Sequence, residues 1–256
     1  MPLVADRCIC LRKVEFSETS QILTLFGRRH GLVRVIAKGA HRTTKVGAGK
    51  FGGGIDLLDL ADAVFSHAPH RELPPLTEWK LVDGRRALRR RLRAIYLGTY
   101  SAELVAALFE EHDPHPALFD RLELTLGELA SPRLEQSFVA FELELLREAG
   151  VLPELSRCVN CGRDAGGSGG GRTYFSPSAG GVACRNCESA YPDRVELDAR
   201  LLGAIRLVQA MTRDGAPPQR LPILTRHQTD PINRLLVDHV QYATGQRLRL
   251  AGYVLG

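Results

Sequence analysis

Hydrophobic periodicity changes once along this chain, near residue 84, and that change constrains the fold more than any other feature. Before it lie five β-prone runs, "RCICLRKV" (7–14), "SQILTLFG" (20–27), "LVRVIAKG" (32–39), "IDLLDLADAVF" (55–65) and "LTEWKLV" (76–82), separated by turn-forming or charged segments. Five short strands with little helix predict a small barrel. In the third run Val33, Val35 and Ala37 alternate with Arg34, Ile36 and Lys38. A pleated strand sends the first set to one face and Arg34 and Lys38 to the other. The turn "RRHG" (28–31) ends in a glycine and is suited to close a hairpin between the second and third runs.

After residue 84 the spacing is helical. Leu88, Leu92, Ile95, Thr99, Ala102, Val105 and Phe109 recur every three or four residues and predict one apolar stripe on a long helix. Asp113-Pro114, Ser131-Pro132 and Asp230-Pro231 each set a capping side chain before a proline at the first helical position, the expected starts of three more helices. Gly150 and Gly245 are expected to end the second and third of these in left-handed caps. "LDARLLGAIRLVQAM" (197–211) predicts a fifth helix with Leu201, Ile205 and Val208 on one face. The expected architecture is multidomain β + α: a five-stranded barrel over residues 1–82, then an all-helical domain over 83–256.

Two Cys-x-x-Cys pairs interrupt the helical part. Cys158 and Cys161 are followed, after twenty-two intervening residues, by Cys184 and Cys187. Four thiolates so spaced suit one tetrahedral zinc ion, with Zn–S distances of about 2.3 Å. Gly162 after the first pair permits the tight backbone of such a knuckle. Four sulfurs fill the coordination sphere and leave no place for a reactive water, so one structural Zn²⁺ is expected, within an insertion at about residues 156–190. A zinc deaminase would need a His-x-Glu upstream of Pro-Cys-x-x-Cys, yet Arg157 stands before Cys158 where that motif has its proline. Redox, iron–sulfur and metal-free readings remain as alternatives. Cys8 and Cys10, two residues apart on a strand, read as buried small hydrophobes. "AGGSGGG" (165–171) has the composition of a flexible loop.

Charge is concentrated near the start. Between residues 7 and 50 stand ten Lys or Arg against two acids, a net +8 in a chain whose total is +5. The candidate polyanion contacts are Arg12, Lys13, Arg28, Arg29, Arg34, Lys38, Arg42, Lys45 and Lys50. A basic OB-type groove can follow a phosphate backbone while aromatic side chains stack on bases, and Phe16, Phe26 and Phe51 are available, although Phe26 equally suits a core. The stretch "GLVRVIAKGAHRTTKVGAGKFGGG" (31–54) is no P-loop: Thr44 stands where the first glycine should be, and Phe51 follows Lys50 where the Mg²⁺ hydroxyl should be. "RRALRRRLR" (85–93) adds a second basic cluster whose arginines point several ways around a helix. No apolar run approaches the roughly 18 residues of a membrane span, and Asp6 and Arg7 precede any secretory core, so a cytoplasmic location is expected.

"GLVRVIAKGAHR" (31–42), "FELELLREAGVLPELSRCVNCG" (141–162) and "YFSPSAGGVACRNC" (174–187), in that order and with a helical end, resemble the bacterial DNA repair protein RecO family. The resemblance covers nearly the full length. It implies an N-terminal OB fold, a helical C-terminal domain and a four-cysteine zinc site. It further implies a non-enzymatic recombination mediator, nucleoid-associated in the cytoplasm. Such a protein binds single- and double-stranded DNA, anneals complementary strands and, with RecR, helps place RecA on DNA coated by single-strand-binding protein. The acidic, apolar C-terminal tail of that binding protein is an implied partner of the helical domain. Two rivals stand beside this expectation: a zinc-bearing RNA- or tRNA-modifying enzyme, and an adaptor that binds only proteins. The eight histidines form no metal or triad spacing that would favour the enzyme.

Overall fold

A computed structural model describes residues 2–40, 51, 54–66, 73–165, 172–213 and 220–255. The described residues form two compact units, Met1–Ala130 and Ser131–Gly256. The expected boundary near residue 83 marks the change of periodicity; compactness divides the chain later, because the first two helices belong with the strands.

In the first unit β1 (Leu3–Ser17), β2 (Ser20–Gly27), β3 (Gly31–Lys38), β4 (Leu60–Ser66) and β5 (Leu76–Asp83) form one antiparallel sheet in the order β3-β2-β1-β4-β5. A parallel bridge between Ile36 and Pro75 joins β3 to β5 and closes the barrel. β1 is long enough to serve both neighbours: its first half pairs with β4 and its second half with β2, with an irregularity between Cys10 and Arg12. Inward residues make the core, among them Cys8, Cys10, Leu23, Leu25, Val33, Val35, Ala37, Phe65 and Trp79. Cys8 and Cys10 are thus packing residues, and burial pushes the Cys10 thiol up to about 12. Gly31 closes the β2–β3 hairpin at φ +64, where a Cβ would lie 2.1 Å from the Asp113 carbonyl oxygen. No L-residue with a side chain fits that corner.

The fourth strand begins later than expected, because residues 55–59 form a turn in which the Asp59 carboxylate accepts the Asp56 N–H and Leu58 takes φ 66. The expected long helix is also corrected. A short 3-10 turn at Leu88–Arg90 is separated from α1 (Leu92–Leu108) by an extended Arg91. The buried face of α1 carries Ala94, Leu97, Gly98, Ser101 and Leu104, whereas Leu92, placed on the predicted stripe, is exposed. Small residues decide this: a Cβ on Gly98 would stand 2.9 Å from Leu58, so the helix approaches where side-chain bulk is least. α2 (Pro116–Glu128) starts at the second proline of "HDPHP" rather than at Pro114, and its Phe119 packs on Phe26 with ring centroids 5.8 Å apart.

The second unit contains α3 (Leu134–Glu148), a three-stranded sheet of β6 (Thr173–Ser176), β7 (Gly181–Cys184) and β8 (Val195–Leu197) in the order β7-β6-β8, then α4 (Ala199–Arg213), α5 (Arg226–Thr244) and α6 (Ala251–Leu255). Ser131 accepts the Arg133 N–H at the start of α3. Gly150 at φ 71 ends that helix, with Val151 N–H bonded back to Leu146 O and Gly150 N–H to Arg147 O, a Schellman closure. α5 does not begin at Asp230-Pro231. It begins five residues earlier, where Thr225 and Gln228 form a reciprocal capping box, and Pro231 lies inside the helix. The capping box satisfies two terminal groups at Thr225, and Pro231, in the second turn, forgoes one backbone bond. Among the described residues no helix is long and apolar enough to cross a membrane.

Candidate nucleic-acid interface and metal centre

Strand register brings part of the basic stretch onto one outer face of the barrel. Arg12 stands opposite Thr24, which stands opposite Arg34, so the three share a row across β1, β2 and β3. The next outward row is Val14, Ile22 and Ile36, and beyond it Ser17, Ser20 and Lys38. Phe16 is the extra residue of an irregularity between Glu15 and Ser17, and such bulges re-aim side chains. Phe16 is 59% exposed and Val14 is 42% exposed, so an apolar strip lies between the arginine row and Lys38. Phe26 and Phe51 are buried core residues and offer no stacking surface. That leaves Phe16 of the three expected aromatics.

The other basic residues are differently placed. Arg28 forms a two-pronged hydrogen bond with Asp120, at 2.7 and 2.8 Å, and that bond holds the Asp120 carboxyl below the usual carboxylate range. Arg29 donates to the Ala5 carbonyl and lies 3.6 Å from the buried Asp6 carboxylate, which also accepts the backbone N–H groups of Arg29 and His30. Lys13 donates to Asp56 at 3.0 Å and to the Ile55 carbonyl. Arg34 has Glu111 at a loose 3.9 Å. Arg12 and Lys38 are exposed and form no ion pair among the described residues. Arg42, Lys45 and Lys50 lie outside the described residues. Asp6, Asp56, Glu111 and Asp120 were not singled out from sequence: three of them lie beyond the basic stretch, and only folding brings them to it. In the 85–93 cluster, Arg85 is buried beside Asp83, and Arg89 bonds the Gly84 and Leu57 carbonyls and Asp59, so both serve local structure.

The four cysteines converge. Their sulfurs lie within 4.8 Å of one another, and Cys161 and Cys184 sulfurs are 3.8 Å apart. A tetrahedron with metal–sulfur bonds of about 2.3 Å has edges of about 3.8 Å, so the spacing fits a four-thiolate metal site. Backbone geometry builds the two knuckles. Gly162 N–H bonds Cys158 O at 2.8 Å with Gly162 at φ 71, and Cys187 N–H bonds Cys184 O at 2.9 Å. The Cys184 N–H also points at the Cys158 sulfur at 3.4 Å. The Arg163 guanidinium, 3.5 Å from the Cys161 sulfur, draws that thiol down to about 6. Burial and the other three sulfurs push Cys187 up to about 12. Four sulfurs this close cannot all ionise unless a cation compensates them, and a divalent ion supplies that charge. Gly181 seats the β7 knuckle against the preceding loop, since a Cβ there would meet the Glu154 carbonyl oxygen at 2.4 Å.

Comparison with known proteins agrees with this architecture. Residues 1–85 match the family described as Recombination protein O N terminal, and residues 89–249 match Recombination protein O C terminal. The chain is 34% identical over 224 residues to a DNA repair protein RecO of Rhodopirellula baltica, covering 87% of this chain and 80% of that one. It is 31% identical over 242 residues to a DNA repair protein RecO of Anaeromyxobacter sp. strain Fw109-5, covering 94% and 91%. Matches that span both parts of the chain, in order and at this identity, identify it: the chain belongs to the RecO family of DNA repair proteins.

Proposed function

We propose that this chain is a recombination mediator that binds single- and double-stranded DNA through the outer face of β1, β2 and β3 and anneals complementary strands. Together with RecR it would help load RecA onto single strands coated by single-strand-binding protein, whose acidic tail would dock on the helical unit. The observation that carries the DNA reading is the Arg12–Thr24–Arg34 row with Lys38 beyond it and the exposed Phe16 and Val14 between. Phosphates would meet the guanidinium and ammonium groups while bases lie over the apolar strip. Arg42, Lys45 and Lys50 are proposed as further phosphate contacts, and Lys13, Arg28 and Arg29 would join them only on leaving their present partners.

No catalytic side chain is required. Two DNA strands repel along their phosphates; a cationic surface that holds both lowers the repulsion and releases condensed counterions, and base pairing does the rest. Cys158, Cys161, Cys184 and Cys187 would hold one structural Zn²⁺, which fixes the loops of the second unit and takes no part in chemistry.

The test is fluorescence anisotropy with labelled single strands at several salt concentrations, followed by strand annealing without nucleotide. Replacing Arg12, Lys38 and Arg34 together with alanine should weaken binding and flatten the dependence of log K on log salt by about 2, from about 0.7 per phosphate contact on single strands. An unchanged slope removes this face from the site.

A further inference from the structure

We propose that the cleft between β8 and α5 in the second unit is a docking site for an extended protein segment that carries an apolar side chain next to a lysine or arginine. The cleft is a cavity of about 460 Å³, floored by Phe175, Leu197, Leu201, Leu235 and Leu255. That volume lies within the range of binding pockets for small groups and takes one or two side chains. Val195 stands at its mouth with 57% of its surface exposed, so an apolar occupant of the cleft would cover it. β8 is also an edge strand of its sheet, and among the described residues one side of its backbone has no neighbouring strand. Edge strands with adjacent side-chain pockets bind extended segments by strand addition, in which backbone bonds give affinity and the pockets choose side chains.

The charge of the rim selects the sign of the partner. Glu196, Asp230 and Asp238 border the cleft, against Arg234 and His227. Asp230 has Arg226 at 3.4 Å, and Glu196 has Arg172 at 3.4 Å. The Asp238 carboxylate has neither hydrogen bond nor ion pair among the described residues. It is exposed on one side, and the partial desolvation of the other raises its pKa in spite of the neighbouring Arg234 charge. Asp238 also borders a second hollow of about 590 Å³ that continues the cleft past Pro177 to Tyr242, whose ring is 60% exposed. A cation beside an apolar anchor would therefore satisfy an under-partnered carboxylate and cover two exposed apolar surfaces together. An acidic tail meets the opposite situation, since its carboxylates would face those of the rim. The partner of this cleft is thus chemically distinct from the acidic tail proposed above, and either can fail without the other.

The test uses the full chain and two fluorescein-labelled probes of equal length: one alternates leucine and valine with lysine, and the other carries glutamate in place of lysine. The lysine probe is expected to bind at least tenfold more tightly than the glutamate probe. Val195→Arg, which fills the mouth, and Asp238→Lys, which reverses the rim, should each weaken the lysine probe at least tenfold. Both positions are exposed, so oligonucleotide affinity and metal content should stay unchanged and report an intact fold. Failure of the lysine probe to bind the unaltered chain, equal binding of the two probes, or indifference of both variants would overturn the proposal.

Discussion

The cysteine centre and the basic barrel face are both clusters of like residues, and they differ in how far sequence spacing constrains them. In the cysteine centre, two ligands three residues apart are joined by a few backbone bonds, so each half-site is local and only the meeting of the halves needs tertiary structure. On the barrel face, Arg12, Arg34 and Lys38 come together through cross-strand register, while Asp120, ninety-two residues from Arg28, removes a cation from the same stretch. Local geometry is therefore legible from spacing, and the charge of a surface is legible only after folding.

The sharpest way to break this comparison is at the centre. Cys158→Ser takes away a buried ligand, and bound metal, measured by atomic absorption, should fall from about one per chain to near zero. The β6–β7 hairpin should lose protection in hydrogen exchange, since metal-binding energy is folding energy here. Single-strand affinity should survive, because the Arg12–Arg34 row lies in the other unit; a parallel loss of DNA binding would show that the two regions are not separable.

A smaller effect is expected at Phe16. Phe16→Ala should cost single-strand binding about 1–3 kcal/mol, the usual worth of one base–aromatic stack, and leave duplex binding nearly unchanged. Its ring is exposed, so thermal stability should hardly move. Equal losses on both kinds of DNA would assign Phe16 a role other than stacking.

Smallest of all is the effect of freeing a cation that folding has neutralised. Asp120→Asn removes the partner of Arg28, and the salt dependence of single-strand binding should steepen by up to about 0.7 if Arg28 then reaches a phosphate. The pH profile carries the sign. Arg28 lowers the Asp120 carboxyl below its unfolded value. The small stabilisation from this exposed pair is therefore present above the ordinary carboxylate range and lost as pH falls through the lowered value. The variant should lack that acid-side loss in a pH-dependent melting series.

Much of the fold was legible because its signals are local. β2 was expected at 20–27 and occupies Ser20–Gly27, since alternation, a hairpin glycine and flanking turn residues agree there. Gly150 and Gly245 take positive φ as helix caps. The failures are instructive in the same terms. Pro231 carries the signal of a helix start, but the helix begins at the capping box of Thr225; Ala102 and Val105 of the expected stripe of α1 are buried, whereas Leu92 is exposed and Gly98 lies on the buried face. Phe26 and Phe51 could not be told from Phe16 by composition, because burial is set by what covers each ring, and Phe119 covers Phe26.

What the sequence determined by itself is the order of strands, cysteine pairs and helices, because turn glycines, short-range ligand spacing and side-chain periodicity act within a few residues. What tertiary structure alone decided is which cations stay available and where an acid-rimmed apolar cleft opens. Those depend on the meeting of side chains distant along the chain, and Coulomb attraction and the exclusion of water act on distance in space, whatever the separation in sequence.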